Sequence, residues 1–497
     1  MNSIAHKLPS ARSIVATAAI VATLSGCMVG PDFRTPDPPA TKTYTAATLP
    51  AETATAPVTG GASQRFTDKD IPHRWWELFH SPALDQLIRR ALKQNPSLAA
   101  AQATLRQASE NLRARSGTEY YPSVDAKFSG SRQKASGAAF GQPGGFYYGL
   151  YNASVDLSYS LDLFGGGRRE LEALKSQVDY QRYQLEGTYL TLTANIVTTA
   201  VQEASLRAQL KATQEIITLQ EKQLALVERQ FQLGGAARSD VLAQQAQVAQ
   251  TRTSLPPLEK ALAQTRNQLA VYSGSLPSEA ALPEFDLEGL QLPQELPLSV
   301  PSKLVRQRPD ILATEELLHA AGAQVGVATA NLYPQITLNA SLGSQSGRLQ
   351  DLFSSGTSIW SLGAGLLQPV FHGGELTAKR RAAIAAYDQA SAQYRETLLL
   401  AFQNVADVLQ ALDADARTLK AQAEAETAAR DTLEVAQQQF RFGAVNYLVL
   451  LNAQRQHQQS LIGLVQARAA RFADTAALFQ AMGGGWWNRE TDTTSGN

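Results

Sequence analysis

The stretch Tyr151-Asn152-Ala153-Ser154-Val155-Asp156-Leu157-Ser158-Tyr159-Ser160-Leu161-Asp162-Leu163 decides the fold. Its odd positions are apolar or aromatic and its even positions are polar, without a break. Period-two alternation is the signature of a strand with one apolar face. Three further stretches read the same way. Val124, Ala126 and Phe128 alternate with Asp125, Lys127 and Ser129. Ile336, Leu338, Ala340 and Leu342 alternate with Thr337, Asn339 and Ser341, and Trp360, Leu362, Ala364 and Leu366 with Ser361, Gly363 and Gly365. One such strand fits a half-buried sheet in a soluble domain. Four of this length, in two hairpins, fit a transmembrane β-barrel with a wet lumen. Four strands do not close a barrel, because barrels start at about eight. The strands must be pooled between subunits, and three chains would supply twelve.

Working outward, the two hairpins belong to two copies of one plan. Leu163-Phe164-Gly165-Gly166-Gly167 matches Val370-Phe371-His372-Gly373-Gly374, and Phe231-Gln232-Leu233-Gly234 matches Phe440-Arg441-Phe442-Gly443. Each hairpin feeds a very long helix, about 168–233 in the first copy and about 375–442 in the second. Leu190, Ala194, Val197, Val201 and Ala204 recur at steps of four and three, as do Leu398, Phe402, Val405, Leu409 and Leu412. A 3.5-residue repeat signals coiled-coil packing. Each helix ends at a glycine, Gly234 or Gly443, and the chain then reverses. The returning helices are expected to break at Pro256-Pro257 and near Gly463.

The amino terminus reads as an address. His6, Lys7 and Arg12 precede a short apolar core, Ile14 to Leu24, and Leu24-Ser25-Gly26-Cys27 follows. This pattern resembles a bacterial lipobox, which implies cleavage after Gly26 and an S-diacylglycerol and an N-palmitoyl group on Cys27; no other cofactor is expected. Met28, not Asp, follows the cysteine, which permits export to the outer membrane under the sorting rule that the resemblance invokes. The expected organisation is a signal peptide over 1–26, a lipid-anchored linker over 27–64, and a first repeat over 65–276 with strands about 122–134 and 147–163. A Pro-rich connector over 277–301 leads to a second repeat over 302–485 with strands about 334–345 and 358–370. A polar tail, 486–497, closes the chain.

Composition excludes several function classes. The 497 residues carry 44 basic and 44 acidic side chains, which argues against a nucleic-acid-binding surface. With one cysteine there is no intramolecular disulfide and no thiolate metal cluster. The six histidines lack zinc-helix spacing. His372-Gly373-Gly374 has no nucleophile elbow to serve, and neither a P-loop nor a dinucleotide fingerprint occurs. The sequence is not that of an enzyme.

Taken in order, Trp75-Trp76-Glu77-Leu78-Phe79, Leu161-Asp162-Leu163-Phe164-Gly165, Arg306-Gln307-Arg308-Pro309-Asp310, Tyr447-Leu448-Val449-Leu450-Leu451-Asn452-Ala453-Gln454-Arg455 and Gly483-Gly484-Gly485-Trp486 resemble the TolC-like outer-membrane factors. The lipobox places the resemblance in the lipoprotein branch, the NodT type, that serves resistance-nodulation-division efflux pumps. The resemblance implies an α+β membrane protein: a homotrimer whose twelve-stranded barrel continues as a helical coiled-coil tunnel in the periplasm, with an equatorial domain. Its implied partners are a periplasmic membrane-fusion adaptor, an inner-membrane pump and outer-membrane lipids. Its implied function is passive export of small toxic compounds, antibiotics among them. Gly234 and Gly443 would occupy the tips that face the adaptor, and both can also be plain helix C-caps. Leu448 falls at the position of an apolar gate ring. Asn452 stands where the family usually has Asp, and Asp240 either supplies gate charge instead or sits as a solvated carboxylate at a helix N-terminus. A trimeric structural or adhesin-like stalk is the competing reading, which the Gly-capped hairpins and the internal repeat disfavour.

Overall fold

The computed structural model describes residues 28–46, 48, 50–136, 138, 141 and 143–489; residues 1–27, where the signal peptide and the lipid-bearing Cys27 are expected, and the residues from 490 on lie outside the described residues. In chain order the elements are β1 (Arg65–Thr67), a 3-10 turn (Trp75–Phe79), α1 (Pro82–Gln94), α2 (Pro96–Tyr120), β2 (Ser123–Ser136), β3 (Gly145–Leu161), α3 (Gly166–Gln232), α4 (Arg238–Arg252) and α5 (Leu255–Tyr272). There follow β4 (Glu295–Pro297), α6 (Pro301–Gln307), α7 (Pro309–Ala330), β5 (Gln335–Ser346), β6 (Ser358–Leu367), α8 (Glu375–Arg441) and α9 (Tyr447–Ala481). The chain divides into two compact units, and each draws on both sequence halves.

The first unit comprises the residues to Pro36, Thr104–Gln181 and Ala313–Tyr394. It holds an antiparallel sheet in the order β2-β3-β5-β6. Residues directly opposite one another share a face, so the register sets Val124, Leu157, Ala340 and Leu362 in one row and Ala126, Val155, Leu342 and Trp360 in the next. That face stays open within the chain, with Trp360 75% and Leu362 77% exposed. The opposite face is polar. Lys127 Nζ lies 3.0 Å from Asp156 Oδ2, and Ser341 Oγ donates to Asp156 Oδ1 at 2.6 Å. A slip of one residue would exchange the two faces, so one-sided apolarity fixes the pairing. β6 stops at Leu367, three residues before the sequence-based expectation, because Pro369 has no N–H to give a ladder.

The second unit comprises Asp37–Ala103, Arg182–Leu312 and the residues from Arg395. Its core gathers around Trp75, Trp76 and Phe79, all buried. Trp75 stacks on Phe479 with ring centroids 5.2 Å apart. Ile196, Val197 and Val201 of α3 and Val405, Leu409 and Leu412 of α8 pack into the same cluster. Side chains of the 3.5-residue repeat are therefore the ones buried, at about 1.5–3 kcal/mol for each large apolar group.

Three sequence expectations change. Residues 28–64 have little regular structure, but they are laid down on the protein and are not a free spacer. Tyr44 Oη donates to the Ser299 carbonyl at 2.8 Å, and the fully buried Arg471 donates to Thr53 Oγ1 at 2.9 Å and to the Ala62 carbonyl at 2.6 Å. The 277–301 connector is likewise built in: Phe285, Leu287, Leu290 and Leu296 are buried in the core, and β4 pairs in parallel with β1. Gly463 does not interrupt α9, because it serves close approach: a Cβ there would stand 2.2 Å from Gln422 Nε2 of α8.

Candidate functional site

Each long helix ends in the same turn. The Gly234 N–H donates to the Phe231 carbonyl at 3.0 Å and the Gly235 N–H to that of Gln230 at 2.7 Å. At the second tip Gly443 bonds Phe440 at 3.1 Å and Ala444 bonds Gln439 at 2.9 Å. This pair of bonds is the Schellman motif, which needs a left-handed residue at its centre. Gly234 has φ +78° and Gly443 φ +71°. A Cβ at either position would meet nothing within 4 Å, so backbone torsion alone calls for glycine. The structure thus gives both tips the C-cap geometry.

The exits from the turns differ. At the first, the Asp240 carboxylate accepts the Ala237 N–H at 3.1 Å, capping α4. At the second, Asn446 Oδ1 accepts the Val449 N–H at 3.2 Å, capping α9. Asp240 therefore has a structural role at a helix N-terminus, where a negative charge is favourable.

Behind the turns, Val227, Val241, Ala436, Tyr447, Leu450, Leu451 and Ala453 form a small core of their own. Tyr447 donates its hydroxyl to Gln244 Oε1, and Arg455 Nε donates to Gln247 Oε1 at 2.8 Å, which ties α4 to α9. Burial pushes the Tyr447 phenol above its ordinary range, the Asp240 charge adds to this, and Arg455 opposes it. Leu448 and Asn452 take no part in this core. They sit one turn apart on the exposed face of α9, and Leu448 is 59% exposed. The site residues thus fall in two places: Asp240 beside the inner cluster, Leu448 and Asn452 outside it.

A family model described as outer membrane efflux protein matches residues 87–275 and 300–484. The chain belongs to this family. The toluene efflux pump outer membrane protein TtgC of Pseudomonas putida is 31% identical over 96% of this chain and 96% of its own. The pyoverdine export outer membrane protein OpmQ of Pseudomonas aeruginosa is 32% identical over 86% of this chain and 90% of its own. The solved outer-membrane channel OprN superposes with a TM-score of 0.84 at 29% identity, over 93% of this chain and 100% of that one.

For this outer membrane efflux protein, sequence reasoning named the turn glycines and Leu448 but missed the tie between the returning helices. Tyr447 and Arg455 bound the motif that carried the resemblance, yet nothing local marks Gln244 and Gln247 as their partners. Arg471 was also passed over. A lone arginine between Ala470 and Phe472 gives no hint of the polar partners that will bury it.

Proposed function

We propose that this chain is the outer-membrane duct of a tripartite efflux system. The observation that carries the reading is the four-stranded sheet, whose edge strands β2 and β6 are 14 and 10 residues long and whose apolar face lies open. Long bare edges invite pairing with another chain. A trimer closes twelve strands, turns the apolar rows to lipid and turns the Lys127–Asp156–Ser341 face to the lumen. Among the described residues no helix is long and apolar enough to cross a membrane. The barrel is the spanning element, with acylated Cys27 as a second hold on the outer membrane. The helices extend the duct into the periplasm, where the Gly234 and Gly443 turns meet a membrane-fusion adaptor fed by a resistance-nodulation-division pump. The duct is passive and binds no catalytic cofactor; its cargo is small toxic compounds.

The protein in mild detergent should have the mass of three chains and fall to one on boiling. A detergent-corrected mass of one chain before boiling would overturn the reading. At the tips, three copies of Leu448 form an apolar constriction, and Asn452 leaves that constriction without a charged ring. Leu448→Ser should raise single-channel conductance in planar bilayers. Asn452→Asp should add block by divalent cations, since charge in a narrow pore is weakly screened. Unchanged conductance and unchanged block would remove both residues from the constriction.

A further inference from the structure

The first described residues are held by a socket that the efflux function does not require. Arg169, on the first turn of α3, has a side chain only 1% exposed. Its Nε donates to the Val29 carbonyl at 3.2 Å and its Nη2 to the Gly30 carbonyl at 3.4 Å and to Asp32 Oδ1 at 2.7 Å. Its Nη1 is braced by Glu172 Oε2 at 2.7 Å. The Val29 N–H donates to the Phe164 carbonyl at 3.1 Å. Phe33 stacks on His319 with centroids 4.1 Å apart, and His319 Nε2 lies 2.9 Å from Glu172 Oε1. Gly30, at φ +100°, lies so close to α7 that a Cβ would stand 2.5 Å from Gly326 Cα. Six consecutive residues, 28–33, are thus fixed against α3 and α7.

Met28 forms one wall of a groove of about 480 Å³. Leu112, Tyr120 and Leu171 supply apolar walls, Ser116 and Lys175 supply donors beside Arg168, which is bonded to Asp162, and Glu172, Asp179 and Glu316 supply carboxylates. Exposed Tyr120, Tyr121, Tyr333 and Phe371 stand where strands pass into helices, the level at which barrels carry an aromatic girdle. Consecutive Cα atoms are about 3.8 Å apart, so residue 27 begins within reach of the groove. An acylated cysteine has no ammonium group. Its polar part is an amide, which accepts at its carbonyl and donates one N–H, together with an acceptor thioether and two acceptor esters, followed by methylene chains. The Ser116 and Lys175 donors fit its carbonyls, a lining carboxylate fits its amide N–H, and the apolar wall fits the start of its chains.

We propose that this groove receives the glyceryl and amide region of lipid-modified Cys27, and that Arg169 is the positioning residue that presents it there. The proposal rests on the reading of Cys27 as acylated. The anchor is then a fixed part of the barrel wall, delivered at the lipid interface.

The test uses the full-length protein in cells, with Tyr120→p-benzoylphenylalanine as a photo-crosslinker in the groove. Irradiation should join residue 120 to the tryptic peptide Cys27–Arg34 carrying its acyl masses. Arg169→Ala, which removes charge-assisted bonds, should lower that yield roughly tenfold. Asp32→Asn should lower it less while leaving the arginine in place, and it serves if Arg169→Ala fails to fold. Adducts only with free phospholipid, or a yield indifferent to both variants, would overturn the proposal. So would an undiminished peptide adduct in Cys27→Ala that has lost its palmitate label. Retention of that label in Cys27→Ala is a different failure, that of the acylation reading itself.

Discussion

The core around Trp75 and the small cluster around Tyr447 are served by the same two long helices, yet they are packed differently. The first brings together Trp75, Trp76, Phe79, Phe472, Phe479 and Met482, nearly all fully buried, from segments far apart in the chain. The second has one buried aromatic residue, Tyr447, and otherwise Val, Leu and Ala from adjoining helix ends. Beside it lies a cavity of about 250 Å³, lined in part by Gln220, Gln223, Gln454 and His457. The Gln220 amide is buried there with neither its nitrogen nor its oxygen bonded to protein. An unbonded buried amide costs about 1–3 kcal/mol. Long-range aromatic packing thus makes the densely packed part, and short-range aliphatic packing with polar ties makes a part of lower local stability.

The largest test of the contrast is Trp75→Ala. It should destabilise the protein by roughly 3–5 kcal/mol, seen as an earlier thermal transition by far-ultraviolet circular dichroism. Leu450→Ala should instead leave that transition nearly in place and speed protease cleavage near Gly443. Equal shifts in the transition would mean that core and tip unfold as one unit, and the contrast would fail. Next in size is Gly443→Ala. With open space around the new methyl group, its cost is the left-handed backbone alone, about 1–2 kcal/mol. It should appear as faster amide exchange over the tip, with Gly443→Asn recovering part of the loss, because asparagine tolerates that torsion.

The last test is a slope. Burial and the neighbouring Asp474 carboxylate raise Asp415 to about 7, against the pull of Arg471. The unfolded carboxyl releases its proton near 4, and the folded one holds it to about 7. Stability from this group is therefore full below the lower value, declines as pH rises between the two, and stays reduced above. Asp415→Asn should flatten that decline and be the more stable form at pH 8. An unchanged slope would show that the pair does not share its proton. Arg471 is itself lowered to about 10 by burial, which Asp415 partly offsets.

The strands were legible because a period of two names a face without reference to anything distant, and the register follows once that face is known. The helices were legible for the same reason at a period of 3.5. Asp415 with Asp474, Arg471 with Thr53 and Arg169 with Val29 were not. Each joins parts of the chain separated by about 60 to more than 400 positions, and neither member alone departs from an ordinary polar residue. Leu448 and Asn452 mark another limit. Both were read from the resemblance and both are exposed within one chain, so no packing inside the chain carries their role.

The helices α3 and α8 each run for 67 residues between sheet and turn. Deleting one residue from either would turn everything beyond it by about 100° and draw it back by about 1.5 Å. The apolar stripe would swing off its neighbours, and one turn would stand shorter than the other. Seven residues restore the facing in a 3.5-residue repeat, and only the same change in both helices restores the match between turns. The length of these two helices is therefore quantised: they can be shortened or extended in steps of about 10 Å, taken together, and at no value in between.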